Sequence, residues 1–238
     1  MAATWHMPGE YDAELGITDR WRDSTSSLWL MVRGRALAAL GREGEVMELV
    51  RGTARGPVDS FARHHLRIAT ELAVHGHPGL AMMVAESILA RFELRPDSDW
   101  ERAVNVASAN RLLHRNEAER EALEGITRGD ADSLAKLEAE GRIAVLLADT
   151  AKAGKIDSIL RDRSNRSLSA PWTRAGEILA RAHIAAGFGR REQAVALLRD
   201  ARDRGELRYG SAHAFHEDLL LVPLRGYPPF DALLKPDN

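Results

Sequence analysis

The chain has no cysteine, which removes disulfide bridges, a thiolate nucleophile and Cys-ligated metal from the chemistry open to it. That fits a reducing compartment, and the expected location is the cytoplasm. Aromatic residues are only 5% while apolar residues reach 45%, so a core must be built from Ala, Leu, Val and Ile. Such a composition suits closely packed helices rather than a β-sandwich, which needs alternating runs of Val, Thr, Tyr and Phe. Lysine occurs only at 136, 152, 155 and 235, and the positive charge is carried by arginine. Thirty-three basic and 35 acidic residues give a net charge of -2 with the signs interspersed. No basic face of the kind that releases counterions from a polyanion stands out, so nucleic acid is not an expected partner. The longest apolar runs, Ile143 to Ala148 and Leu219 to Val222, fall far short of the ~20 residues that cross a bilayer. The first residues lack the basic start and apolar run of a secretory signal. No membrane association is expected.

What the chain does have is helical periodicity. From Pro171 to Asp203, Trp172, Ala175, Ile178, Leu179, Ala182 and Ala185 recur at steps of three and four, as do Ala194, Leu197, Leu198 and Ala201. Each set makes one apolar stripe, and a turn at Gly189 folds the two into a hairpin. Similar pairs precede it. Leu28 to Leu40 returns through Val46, Leu49 and Val50, and Phe61 to Leu72 returns from His75-Gly79 through Ala81 to Leu89. Ser98 to Glu101 has the spacing of a capping box for a helix through Leu112 that returns at Asn116 to Leu123. Asp130 is the expected cap of a run through Ala151, with Gly154 turning into Ile156, Ile159 and Leu160.

Turns near Gly44, Gly76, Asn116, Gly154 and Gly189 then recur every ~32 to 40 residues. The expected organisation is an irregular lead-in at 1–24, a hairpin array at 25–204 and a C-terminal cap at 205–238. Within that cap Pro223, Pro228 and Pro229 interrupt any long helix, and Phe230, Leu233 and Leu234 are placed on the last hairpin. Arg161 to Ser169 is the most loop-like interior stretch.

The hairpin with Gly189 and Ala194 resembles a tetratricopeptide repeat. The segment Asp218 to Leu234, with its Pro-Leu-Arg-Gly-Tyr-Pro-Pro-Phe core, resembles the end of tetratricopeptide regions in bacterial signalling proteins. Such regions follow serine/threonine kinase, adenylate cyclase or transcriptional-activator domains. The resemblance implies an all-α superhelical solenoid of about five hairpins that binds protein, without a cofactor or catalytic residues. Kinase signatures are absent. The groove positions implied are Met31, Gly34 and Ala38; Arg63, Leu66 and Thr70; Ala103, Val106 and Asn110; Ala144 and Ala148; and Leu179 and His183. Of these Arg63, Leu66, Thr70, Val106, Asn110, Leu179 and His183 are the candidate binding residues, for a peptide or partner helix.

The rival is a metal-dependent or hydrolytic enzyme on a helical scaffold. It draws on His64, His65, His75 and His77, and on His213 and His216 beside Glu217. Neither group offers a full ligand set, and no metal site is assigned. Ser133 and Lys136 match a Ser-x-x-Lys spacing without its partner motifs, and Gly205 to Ser211 lacks the lysine of a phosphate loop. Arg161, Arg163, Arg166, Arg190 and Arg191 are the residues that would hold a phosphate or acidic peptide.

Overall fold

The computed structural model describes residues 10–20, 27–53, 58–93, 100–166, 171–203, 215–216 and 218–235. The fold is all-α, with no strand among the described residues. The chain divides into two compact units, Met1–Glu119 and Arg120–Asn238.

The first unit holds α1 (Tyr11–Asp19), α2 (Ser27–Ala39), α3 (Glu43–Thr53), α4 (Val58–Val74), α5 (Pro78–Glu93) and α6 (Trp100–Leu112), and α7 (Asn116–Arg128) carries the division. Helix α2 packs on α1, α3 and α4, while α4 packs on α5 and α6. The second unit holds α8 (Ser133–Leu146), α9 (Thr150–Arg166), α10 (Pro171–Gly187) and α11 (Arg191–Asp203). Helix α10 packs on α8, α9, α11 and the 3-10 helix Leu219–Leu224. A one-turn helix, Pro228–Asp231, and a second 3-10 turn, Ala232–Leu234, follow.

One backbone device is repeated at five turns. Gly41, Gly76, His114, Ala148 and Gly189 all have positive φ, between 52° and 90°. At each, the amide of the next residue returns to the carbonyl five places back: Arg42 to Leu37, His77 to Leu72, Arg115 to Asn110, Asp149 to Ala144 and Arg190 to Ala185, at 2.8 to 2.9 Å. The amide of the positive-φ residue itself returns three places, as from Gly41 to Ala38 at 3.1 Å. This Schellman closure satisfies carbonyls that a helix end leaves open and reverses the chain within three residues.

The turns corrected the sequence reading at several points. Gly44 lies inside α3, and the turn is at Gly41; Asn116 opens α7 after a turn at His114; Gly154 lies inside α9 after a turn at Ala148. The cap of α8 is Asp132 rather than Asp130, accepting from Leu134 N at 2.8 Å and Ala135 N at 2.9 Å. Residues 161–166 continue α9, whereas Ser169 lies outside the described residues. The lead-in is not irregular throughout, because Tyr11–Asp19 is helical. Ser98 and Asp99 of the capping box fall outside the described residues.

Counting from the positive-φ residue aligns the pairs. Seven places before it stand Gly34, Ala69, Ala107, Gly141 and Ala182, all buried; five places after it stand Val46, Ala81, Glu119, Ala153 and Ala194, none more than 1% exposed. Small side chains at these crossings let helix axes approach closely. A Cβ on Gly34 would run into Ile68 of α4, and one on Gly141 would come within 2.8 Å of Ile184 of α10. Glu119 is the exception to the small or aliphatic pattern; Arg111 lies 3.5 Å from it.

In the second unit, Phe215, Leu221, Leu224, Phe230, Leu233 and Leu234 are buried against Ala182, Ala186, Ala194 and Leu198 of α10 and α11. Removing a side chain of Phe or Leu size from water contributes roughly 1.5 to 3 kcal/mol each. This segment therefore completes the core of the last helix pair.

Candidate functional site

The aligned turns give each first helix two positions, ten and six places before the positive-φ residue, that lie one helical turn apart on one face. They are Met31 and Arg35 on α2, Leu66 and Thr70 on α4, Val104 and Ser108 on α6, Glu138 and Arg142 on α8, and Leu179 and His183 on α10. The expected residues Leu66, Thr70, Leu179 and His183 fall on this register, whereas those expected on α6 do not. Val106 and Asn110 there align with Ile68 and Leu72, which are fully buried, although Val106 itself is half-buried. Asn110 is itself buried and donates Nδ2 to Val106 O at 3.0 Å. On α8 the expected Ala144 is core and the expected Ala148 is the turn.

In the first unit this face is occupied along α2 and α4, whereas Val104 and Ser108 of α6 are half-buried. Arg35 is wholly buried, and its Nη2 donates to Oε1 of Glu14 on α1 at 3.1 Å. Burial lowers the pKa of Arg35; Glu14 and Glu71 act against that, and the net direction remains down. A guanidinium nevertheless stays charged. His75 at the end of α4 faces Glu71 at 3.3 Å and Tyr11 Oη at 3.4 Å, with the Tyr11 ring edge-on to it. Trp29 Nε1 donates to Thr18 O at 3.0 Å, and Arg33 meets Asp19 at 2.5 Å. Arg67 of α4 donates to Met31 Sδ at 2.8 Å. Leu66 is buried, and the hydroxyl of Thr70 is turned onto Leu66 O at 2.9 Å, so neither presents free surface. Arg63 is the exposed residue of the set, 3.5 Å from Glu101 of α6.

In the second unit the same positions form a charged cluster. His183 Nε2 lies 2.7 Å from Asp218 Oδ2, and its Nδ1 lies 3.4 Å from Glu138 Oε1. Burial would lower the histidine's pKa, but the attraction and hydrogen bond of Asp218, followed by those of Glu138, raise it to about 9. It is therefore an imidazolium at neutral pH. Asp218 is held below the usual carboxylate range: burial opposes this, and His183, the amide of Leu220 and the Arg142 charge overcome it. Glu138 moves the same way against its own burial, through His183 and then Arg142. The fourth member, Arg142, is buried. Leu179 is half-buried against the C-terminal core. His183 thus stands in an ion-paired cluster and not on open groove surface.

His65 is buried and bonded to Thr53 Oγ1 at 2.9 Å; burial, Arg91 and His64 push its pKa down to about 4. His77 pairs with Glu43 at 2.7 Å. His213, Glu217 and Gly205 to Ser211 lie outside the described residues. Arg163 is engaged by Glu177 and by Ser133 Oγ, both at 2.9 Å. Arg166 pairs with Asp162, and Arg190 lies over the Phe188 ring. No family model, curated protein or solved structure matches the chain. No helix is long and apolar enough to cross a membrane among the described residues.

Proposed function

We propose that the chain is a protein-interaction or regulatory module of a bacterial signalling system, built as a tetratricopeptide-like superhelical solenoid of five hairpins. Its first helices line an inner groove that takes a peptide or a partner helix. The observation that carries this reading is the shared register of the five turns. The tetratricopeptide pattern likewise puts Gly in its first helix and Ala in its second, and here the corresponding crossings are Gly or Ala in most pairs. Stacked pairs of this kind bury one another's stripes and leave a concave surface for extended or helical ligands.

The corrected register moves the candidate groove residues. Arg63, Val104 and Ser108 retain exposed or half-exposed side chains in the first unit, and these, rather than Val106 and Asn110, are the positions to alter. The test begins by capturing a partner from source lysate with the full-length protein. The purified partner's affinity is then measured for Arg63→Glu, Val104→Asp and, as a control on the second helix α5, Met83→Ser. The reading expects at least a tenfold weakening from each groove change in a protein that melts normally, and none from Met83→Ser. Weakening confined to Met83→Ser would place the contact on the second helices and end the groove assignment.

A further inference from the structure

We propose that Tyr11 of α1 and Glu71 and His75 of α4 form a binding site for a divalent first-row metal ion of the zinc type, and that the bound ion clasps α1 to α4. All three residues belong to the first unit, and none of them is among the groove positions Arg63, Val104 and Ser108.

The geometry is set by the end of α4. His75 lies just past the last residue of that helix, yet its amide still returns to Glu71 O at 2.9 Å, so the helical register carries its ring onto the face of Glu71. Gly76, at φ 90°, then turns the chain away. His75 Nε2 lies 3.3 Å from Glu71 Oε2 and 3.4 Å from Tyr11 Oη. A charge-assisted N–H···O bond closes to about 2.7 to 2.9 Å, and both contacts are longer than that. Ligands held about 2.0 to 2.1 Å from a tetrahedral zinc stand ~3.3 to 3.4 Å from one another. That is the spacing found on both sides of the imidazole nitrogen.

The donors are an imidazole nitrogen, a carboxylate oxygen and a phenol oxygen, a set that suits zinc and its first-row neighbours. Arg35 also faces Glu71, and its hydrogen bond at 3.1 Å goes to Glu14; the oxygen that Glu71 turns to His75 is Oε2. Glu71 is wholly buried while the His75 side chain is 23% exposed, so an ion enters past the histidine and solvent supplies a fourth ligand. Tyr11 binds as phenolate, its proton released to water. What the ion adds is order in α1. This helix is nine residues long, carries Gly16 in its middle and has no side-chain bond at its N-cap Glu10. Isolated helices below ~12 to 15 residues are marginal in water, and Tyr11, its first residue, is the one the ion ties to α4.

The test uses the full chain without an affinity tag, stripped of metal by a chelator. Zinc chloride is titrated into it calorimetrically, and cobalt replaces zinc in a second titration, its visible absorption reporting tetrahedral coordination. Hydrogen exchange follows α1 with and without zinc. The expected result is one zinc per chain, a tetrahedral cobalt spectrum and slower exchange across residues 11–19. Affinity should fall at least tenfold in Tyr11→Phe, which keeps the ring, and be lost in His75→Ala. His77→Ala, which alters the pair with Glu43, should bind as wild type does. The proposal is overturned if the chain takes up no stoichiometric zinc, if Tyr11→Phe or His75→Ala binds as tightly as wild type, or if zinc leaves the exchange of α1 unchanged. Because no foreign partner is involved, failure here leaves the partner test of the preceding section standing, and the reverse also holds.

Discussion

His183 on α10 and Asp218 meet at 2.7 Å between Nε2 and Oδ2, and Oδ1 of the same aspartate accepts from Leu220 N at 2.8 Å. One carboxylate thus starts the 3-10 helix Leu219–Leu224 and ties it to the helix on which it packs.

Breaking that contact from one side leaves a buried charge unmatched. Asp218→Asn or His183→Ala should each destabilise the second unit by about 3 kcal/mol. The double variant should cost less than the two together, because the partners are coupled. Urea titration followed by hydrogen exchange on residues 219–234 measures both. Additive losses would mean that the pair carries no coupling.

Two histidines give the units opposite pH dependence. His183 has its folded pKa raised to about 9, so its contribution is complete below the unfolded value of ~6.5 and is lost as pH rises through 9. His65 is pushed down to about 4; the unfolded chain binds the extra proton, and stability of the first unit is lost as pH falls from ~6.5 through 4. Imidazole NMR titration checks both. Midpoints near 6.5 for either residue would contradict the burial and pairing seen here.

At the turns, Ala148 and His114 hold positive φ without being glycine, and both are exposed. Ala148→Gly and His114→Gly should raise stability by roughly 0.5 to 1 kcal/mol each, and Gly76→Ala should lower it by a similar amount. Thermal melts of the three variants decide the matter by sign alone.

Two glycines should respond in opposite directions to the same methyl group. Gly34→Ala pushes into Ile68 where α2 crosses α4, at a cost of about 1 to 3 kcal/mol. Gly16→Ala meets nothing within 4 Å and should protect α1 against exchange by up to ~1 kcal/mol. Equal losses at both sites would show that α1 is packed more tightly than its surroundings indicate.

The all-α class was legible because helix stripes such as Ala194, Leu198 and Ala201 are local features of the chain. Turn positions were legible where glycine supplies the positive φ, as at Gly76 and Gly189. They were lost at His114 and Ala148, since nothing in a histidine or alanine announces a left-handed residue, and at Gly41, where Gly44 three places on looked equally suitable. Misplacing the third turn by two residues was enough to put Val106 and Asn110 where Val104 and Ser108 stand. The charged clusters were out of reach for a different reason. Glu14 with Arg35, and Asp218 with His183, are joined only by tertiary packing, and an isolated acidic residue in a sequence looks like solvated surface.

Whether the exposed side chains of the first helices meet a protein partner is decided by site-specific photocrosslinking. A benzophenone amino acid is placed at Ser108 of α6, at Arg63 of α4, or at Met83 of α5, in the full chain in its source cells. A groove on the first helices predicts one common protein adduct from positions 63 and 108 and none from 83. Adducts formed only from 83, or none from 63 and 108 in a folded chain, would contradict it.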